Sequence, residues 1–361
     1  MKNVAIKWLV IGIGLAVVAC SDSVADGDSD VGVPEDDTDV VANDTGDNNA
    51  SQEGDRWALQ SSGVAAQQWH GLHFIDDQTG WILGRDDDGD GLLIHTDDGG
   101  DQWNEQSLSA TESLFDVFFH DEDRGWLVED EGVWRSDNGG QDWAFYEFGD
   151  EFDERVRTLF MLDESTGWAA GDGILRTDDG GESWTLQAGE DQVGPLIQQV
   201  YFSDESIGTA VGNGATIIHT RDGGESWDDV SPAELSGHIT SMDFVDADRG
   251  WAASNGGLIV GTDDGGQSWQ ELTELSETIS GLSFIDADHG WVATRGGEIY
   301  VSDDGGTQWQ LEQIIRQPDL HDPEGDSAEL SNLQMVHDQA GWAVGFPPSN
   351  VDVSAPIVRF R

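Results

Sequence analysis

Apolar and polar positions alternate along most of this chain in runs of four to six residues, and no stretch holds a helical period of useful length. One segment shows the pattern in full. Ile279 to Phe284 alternate as a strand, and Asp286 to Gly290 supply turn residues. Trp291 to Thr294 form a second strand, Arg295-Gly296-Gly297 a tight hairpin, and Glu298 to Ser302 a third strand. Asp303 to Gln308 turn again, and Trp309 to Gln313 form the fourth strand. Gly-Gly pairs tolerate the positive φ that tight hairpins need. The unit predicted is a four-stranded antiparallel meander.

The unit recurs. Its most regular stretch, Thr177-Asp178-Asp179-Gly180-Gly181-Glu182-Ser183-Trp184, returns as Thr96 to Trp103, Ser136 to Trp143, Thr220 to Trp227, Thr262 to Trp269 and Ser302 to Trp309. Successive tryptophans lie 40 to 43 residues apart, a period that marks a repeat architecture. A second element, Gly-Trp, alternates with it at 80–81, 125–126, 167–168, 250–251, 290–291 and 341–342, and Gly208-Thr209 is a seventh copy without Trp. Seven Gly-Trp elements thus face six complete Asp-Gly-Gly elements. The missing half stands at the front, where Gly54-Asp55-Arg56-Trp57 matches Gly306-Thr307-Gln308-Trp309. A closed ring resolves the mismatch if Trp57 to Gln60 supply the outer strand of the last unit. Closure also removes the exposed sheet faces of an open array. The reading is all-β: a seven-bladed β-propeller over residues 54–361, sewn shut by an N-terminal strand.

The repeated residue types have mechanical roles. Asp98, Asp179, Asp222, Asp264 and Asp304 are placed to accept backbone N–H bonds inside their own turns. Asn138 occupies the same place in the second copy, which suits hydrogen bonding better than catalysis. The tryptophans at repeat positions are expected in the core rather than on a sugar-binding platform. The motif resembles the Asp-box, or BNR repeat, of sialidases, sortilin-type receptors and the photosystem II stability/assembly factor family. Blade length and the paired signatures are most similar to the last of these. That resemblance implies a non-enzymatic protein-binding or assembly scaffold, with Asp-boxes away from the functional face. It does not imply a photosynthetic role. The family's arginine-rich partner surface is not transferable, because Arg124, Arg135, Arg176, Arg221 and Arg249 lie beside repeat turns.

Charge changes the picture next. Lys and Arg total 15 against 73 Asp and Glu, a net charge of −58. Such a field repels nucleic acid and favours cations, basic partners or a saline medium. The only lysines are Lys2 and Lys7, ahead of an apolar run from Trp8 to Ala19, which reads as a signal peptide over residues 1–19. Val17-Val18-Ala19-Cys20 resembles a bacterial lipobox, so Cys20 is the expected lipidation site and membrane anchor. Ser21 behind it favours the outer over the inner membrane. Residues 20–53 then read as the lipidated cysteine and a disordered acidic tether. With one cysteine, no intrachain disulfide is available.

Two places carry candidate chemistry. The first-blade hairpin holds Asp86, Asp88 and Asp90 in an Asp-x-Asp-x-Asp-Gly order, the beginning of a calcium loop. The long connector from Gln313 to Asn332 and the hairpin from Phe346 to Pro356 are expected on the same face, and long loops tend to carry function. Trp69, Arg316, His321 and Phe346 are its candidate binding residues. The expected protein is a monomeric envelope lipoprotein with a protein partner and no cofactor beyond calcium. The alternative is a sialidase-like or other glycoside hydrolase or glycan-binding module. Against it, Arg-Ile-Pro is absent and only Tyr146, Tyr201 and Tyr300 exist. No His-Glu-x-x-His, serine elbow or phosphate loop is present.

Overall fold

A computed structural model describes residues 56–108, 114–149, 155–317, 325–347 and 354–360. They lie in a compact unit spanning Asp55–Arg361. The signal peptide, Cys20 and the tether lie outside the described residues, and so does His321.

The unit is a seven-bladed β-propeller of four-stranded antiparallel sheets. Six blades are single meanders, their inner strands Gln68–Phe74, Leu114–Phe119, Val156–Met161, Ile197–Phe202, Ile239–Phe244 and Ile279–Phe284. The seventh runs outward through Glu329–His337, Ala340–Phe346 and Ile357–Phe360, and its outer strand is Trp57–Gln60. That latch pairs Trp57 with Phe360 and Gln60 with Ile357, so the ring closes as the repeat count requires. The expected strands of the sixth blade hold to within a residue: the second begins at Gly290 and the fourth runs Gln310–Ile314. One departure from the all-strand reading is a four-residue helix, Glu190–Val193, in the connector after the third blade.

The two repeated elements build the interfaces between blades. Each inner strand carries a large apolar side chain at or near its end, Phe74 in the first blade and Met335 in the seventh. The Gly of Gly-Trp lies against it: a Cβ on Gly80 would come within 2.2 Å of the Phe74 ring. Where the next blade carries a phenylalanine at that place, the tryptophan of the pair stacks on it; Trp126 and Trp291 meet blades that carry Met161 and Met335 there. Trp81 lies on Phe119 with ring centroids 3.5 Å apart, Trp168 on Phe202 at 3.5 Å, Trp251 on Phe284 at 3.7 Å and Trp342 on Phe74 at 3.6 Å. Where Thr209 replaces Trp, Tyr201 fills the place, stacked on Phe244 at 4.5 Å. The Asp-box tryptophans meet the same phenylalanines edge-on, as Trp103 does Phe74. The Gly-Trp indoles are buried, whereas five of the six Asp-box indoles stay partly exposed. Both kinds belong to the cores between blades, as expected from the sequence.

Candidate functional site: the channel mouth

In each Asp-box the threonine or serine hydroxyl donates to the carboxylate, and the carboxylate closes the turn. Thr177 Oγ1 donates to Asp179 Oδ1 at 2.9 Å, and Asp179 Oδ1 accepts the Ser183 N–H at 2.9 Å. Gly180 and Gly181 sit at φ of 75° and 91°, where a side chain would be strained. Asp98, Asp222, Asp264 and Asp304 repeat this geometry. The Gln102 N–H holds the Asp98 carboxyl below the usual carboxylate range, and the Ser226 hydroxyl does the same for Asp222. Asn138 reproduces the turn with its amide oxygen, accepting from Ser136 Oγ at 3.0 Å and Asp142 N–H at 2.9 Å. These turns also receive indole N–H groups from the preceding blade: Trp126 Nε1 donates to Gly180 O at 2.9 Å and Trp251 Nε1 to Gly305 O at 2.9 Å. The Asp-boxes are structural clamps, and none presents a free catalytic pair.

The first-blade acidic hairpin is also folded by its own side chains. Asp86 Oδ1 accepts the N–H groups of Asp88 and Asp90, each at 2.9 Å. Among the described residues no three His, Cys, Asp or Glu side chains come together in a way that would hold a metal ion. The hairpin joins strands Gly80–Arg85 and Gly91–Thr96, at the end of the blade where Gln68 pairs with Arg85. Phe346, paired with Glu329, lies at the same end of the seventh blade. Arg316 is exposed in a two-stranded piece of the preceding connector, Arg316–Gln317 against Asp326–Ser327, and donates to Gly325 O at 3.1 Å. Trp69 is a correction. Its side chain is fully buried among Phe74, Trp342 and Ile357, so a position at the top of a strand did not make it a surface residue. Its pleat faces the neighbouring blade.

The residues that do line this end were not singled out from the sequence. Every inner strand carries an irregularity in register at its first turn of pleat, between Trp69 and Gly71, Leu114 and Asp116, Val156 and Thr158, and at the matching place in the other four. The residue skipped is His70, Phe115, Arg157, Gln198, Thr240, Ser280 or Ser331. A β-bulge re-aims a side chain, and here all seven line one cavity of about 210 Å³ on the ring axis. The signal available in the sequence was variation: these positions differ in type while the residues around them repeat.

The lining is polar, and much of it is tied to the next blade. His70 Nε2 pairs with Leu114 O at 3.0 Å. Asp116 accepts the N–H of Leu159 at 3.0 Å and that of Val117 at 2.9 Å. Gln199 accepts the Met242 N–H. Ser331 Oγ donates to Trp69 O at 2.8 Å. Burial lowers the His70 pKa to about 4 and raises that of Asp116 to about 6. The Arg157 guanidinium lies 3.7 Å over the Phe115 ring and pairs with Asp130 at 2.8 Å.

Comparison with known proteins bears on this architecture. The family model described as photosynthesis system II assembly factor YCF48 matches residues 187–310. Over those residues the chain is similar to this family, and its fold is a BNR-type propeller of the YCF48 kind. A solved structure of YCF48 bound to a D1 peptide superposes on this YCF48-like fold with a TM-score of 0.65 at 22% identity, covering 85% of this chain and 97% of that one. YCF48 from Cyanidioschyzon merolae gives 0.65 at 18% identity, over 85% and 98%. An ancestral GH74 enzyme aligns at 0.52 and 15% identity, over 66% of this chain and 35% of its own. No curated protein sequence matches. The fold is therefore one shared by binding proteins and hydrolases, and the site must separate them.

Proposed function

We propose that this protein is a lipid-anchored envelope scaffold whose propeller binds a protein partner over the channel mouth, without catalysing a reaction on it. The observation that carries this reading is the polar cavity to which all seven blades contribute. A binding platform needs such convergence, and the ring supplies it on a rigid frame. The likeness to a YCF48 structure containing a D1 peptide supports a protein ligand, and no photosynthetic partner follows from it. The hydrolase reading is disfavoured by the lining. Retaining and inverting glycosidases need two carboxyl groups across one substrate. Among the described residues Asp116 is the sole carboxylate lining this cavity, and both its oxygens already accept backbone N–H groups. The anchor rests on Cys20 after Val17-Val18-Ala19, with the outer membrane favoured by Ser21 and a monomeric state assigned.

A photo-crosslinking residue at position 280, at the channel mouth, and another at position 182, in an Asp-box turn, test the surface. Partner capture from envelope membranes is expected at 280 and not at 182, and the reverse would overturn the assignment. In the same cells Cys20→Ser should move the protein out of the membrane fraction. Unchanged detergent partitioning would remove the anchor from the proposal.

A further inference from the structure

The hydrogen bonds of the channel mouth define what kind of group it can receive. Thr240 Oγ1 donates to Ile279 O at 3.1 Å, Ser280 Oγ to Ala293 O at 3.2 Å and Ser331 Oγ to Trp69 O at 2.8 Å. A hydroxyl has one proton. Each of these three has spent it on a carbonyl, so each keeps only lone pairs for the cavity. His70 follows the same logic. A carbonyl accepts only from a protonated nitrogen, so Nε2 carries the hydrogen in its bond to Leu114 O. Burial keeps the ring neutral. Nδ1 is therefore a bare acceptor, but it is buried away from the opening and is not counted among the groups a ligand can reach. Gln198 donates its amide to Asn213 Oδ1 at 3.1 Å and leaves its own oxygen unbonded. Four acceptors from four blades, those of Thr240, Ser280, Ser331 and Gln198, thus ring one opening.

Donors are fewer. Gln199 and Asn332 use their oxygens on the N–H groups of Met242 and Leu333 and keep their amide N–H groups. Arg157 is neutralised by Asp130 and turned onto Phe115. Asp116 stands in the same lining, poorly solvated and negative when ionised. Its remaining lone pairs favour a cation over a neutral group.

We infer that the channel mouth is a socket for a basic side chain, an arginine or lysine projecting from the protein partner, whose several N–H groups meet the acceptors of Thr240, Ser280, Ser331 and Gln198. This rests on the partner-binding reading above and adds the chemistry that recognises the partner. The excess of acids over the whole chain draws such a segment in, and the acceptor ring fixes where its cation sits.

The test uses the full-length protein and three probes: acetyl-Gly-Gly-Arg-Gly-Gly-amide, the same peptide with citrulline in place of arginine, and spermidine. Calorimetry at 0.15 M NaCl should show the arginine peptide bound at least tenfold more tightly than the citrulline peptide. The preference should persist at 1 M NaCl, where the Debye length falls to about 3 Å and diffuse attraction is screened. Thr240→Val/Ser280→Ala should weaken the arginine peptide at least tenfold. Gln198→Leu, a single change outside the hydroxyl set, should do so several-fold while melting like the wild type. Equal binding of the arginine and citrulline peptides, or equal binding by wild type and both variants, overturns the socket. Spermidine binding without arginine-peptide binding overturns the assignment to a partner side chain. A partner crosslinked at position 280 with no arginine preference would defeat this inference alone. A partner crosslinked only at position 182 would defeat the reading beneath it.

Discussion

Replacing Trp57 with alanine tests the closure of the ring where it is most exposed to refutation. The indole is 1% exposed, while its counterpart in the first blade, Trp103, is only partly buried. It meets Phe360 at 5.0 Å between centroids and belongs to a core with Trp291, Leu330 and Met335. Its Nε1 donates to Glu312 at 2.9 Å, and Gln313 brackets its backbone through bonds of 3.0 and 2.8 Å. Truncating a buried aromatic residue costs about 3–5 kcal/mol in general. Glu312 keeps Arg56 as a partner, so little is added for a stranded charge. At about 2 °C per kcal/mol for a unit of this size, the melting temperature should fall by roughly 8 °C. Scanning calorimetry measures it, and hydrogen exchange should show Val358 and Phe360 losing protection first. Trp103→Ala, at a half-buried indole, should cost less. A Trp57→Ala protein melting within about 1 °C of wild type, or a larger loss from Trp103→Ala, would show that the latch does not hold the ring.

Asp179→Asn should be nearly neutral, because Asn138 already performs this turn, whereas Asp179→Ala should cost about 1–3 kcal/mol by leaving the Thr177 hydroxyl and Ser183 N–H without their acceptor. Chemical denaturation of both variants checks this. Burial lowers His70 and His73 to about 4 and raises Asp116 and Asp243 to about 6. As pH falls from 7 to 5 the unfolded chain binds protons at the histidines and the native state binds them at the aspartates. The two effects oppose one another, but with His95 and His219 also lowered by burial the histidines outweigh the aspartates, so wild-type stability should fall as pH falls through this range. His70→Gln/His73→Phe removes the two most strongly lowered histidines and leaves His95 and His219, so that variant should retain clearly more stability than wild type as pH falls from 7 to 5; a wild-type-like pH profile would contradict the assignment. The melting temperature should climb with NaCl in the presence of chelator, since 73 acids stand against 15 bases and the Debye length shrinks from about 30 Å at 0.01 M to about 3 Å at 1 M. Calcium at the acidic hairpin stays a proposal with its own measurement: isotherms of wild type and Asp88→Asn/Asp90→Asn should differ, and superimposable ones reduce the hairpin to a self-closed turn.

The sequence by itself determined the blade, the number of blades and the closure, because each is written in local, periodic chemistry. Gly-Trp needs a missing Cβ beside Phe74, and Asp-Gly-Gly needs two positive φ angles behind a turn carboxylate. The first demand recurs every 40 to 51 residues and the second every 40 to 43. Even the latch was legible, since a half-motif at Gly54–Trp57 had to complete a half-motif at the other end. The site was not. His70, Gln198, Thr240, Ser280 and Ser331 lie up to 261 residues apart and meet only because seven bulged strands converge on one axis. Trp69, one residue before His70, looked like a surface aromatic, yet the pleat turns it into the core and the bulge turns its neighbour into the channel. Which lone pairs remain free depends on which carbonyl each hydroxyl has found in the adjacent blade. That choice is made by tertiary packing, because donor and acceptor belong to different repeats and no local pattern couples them.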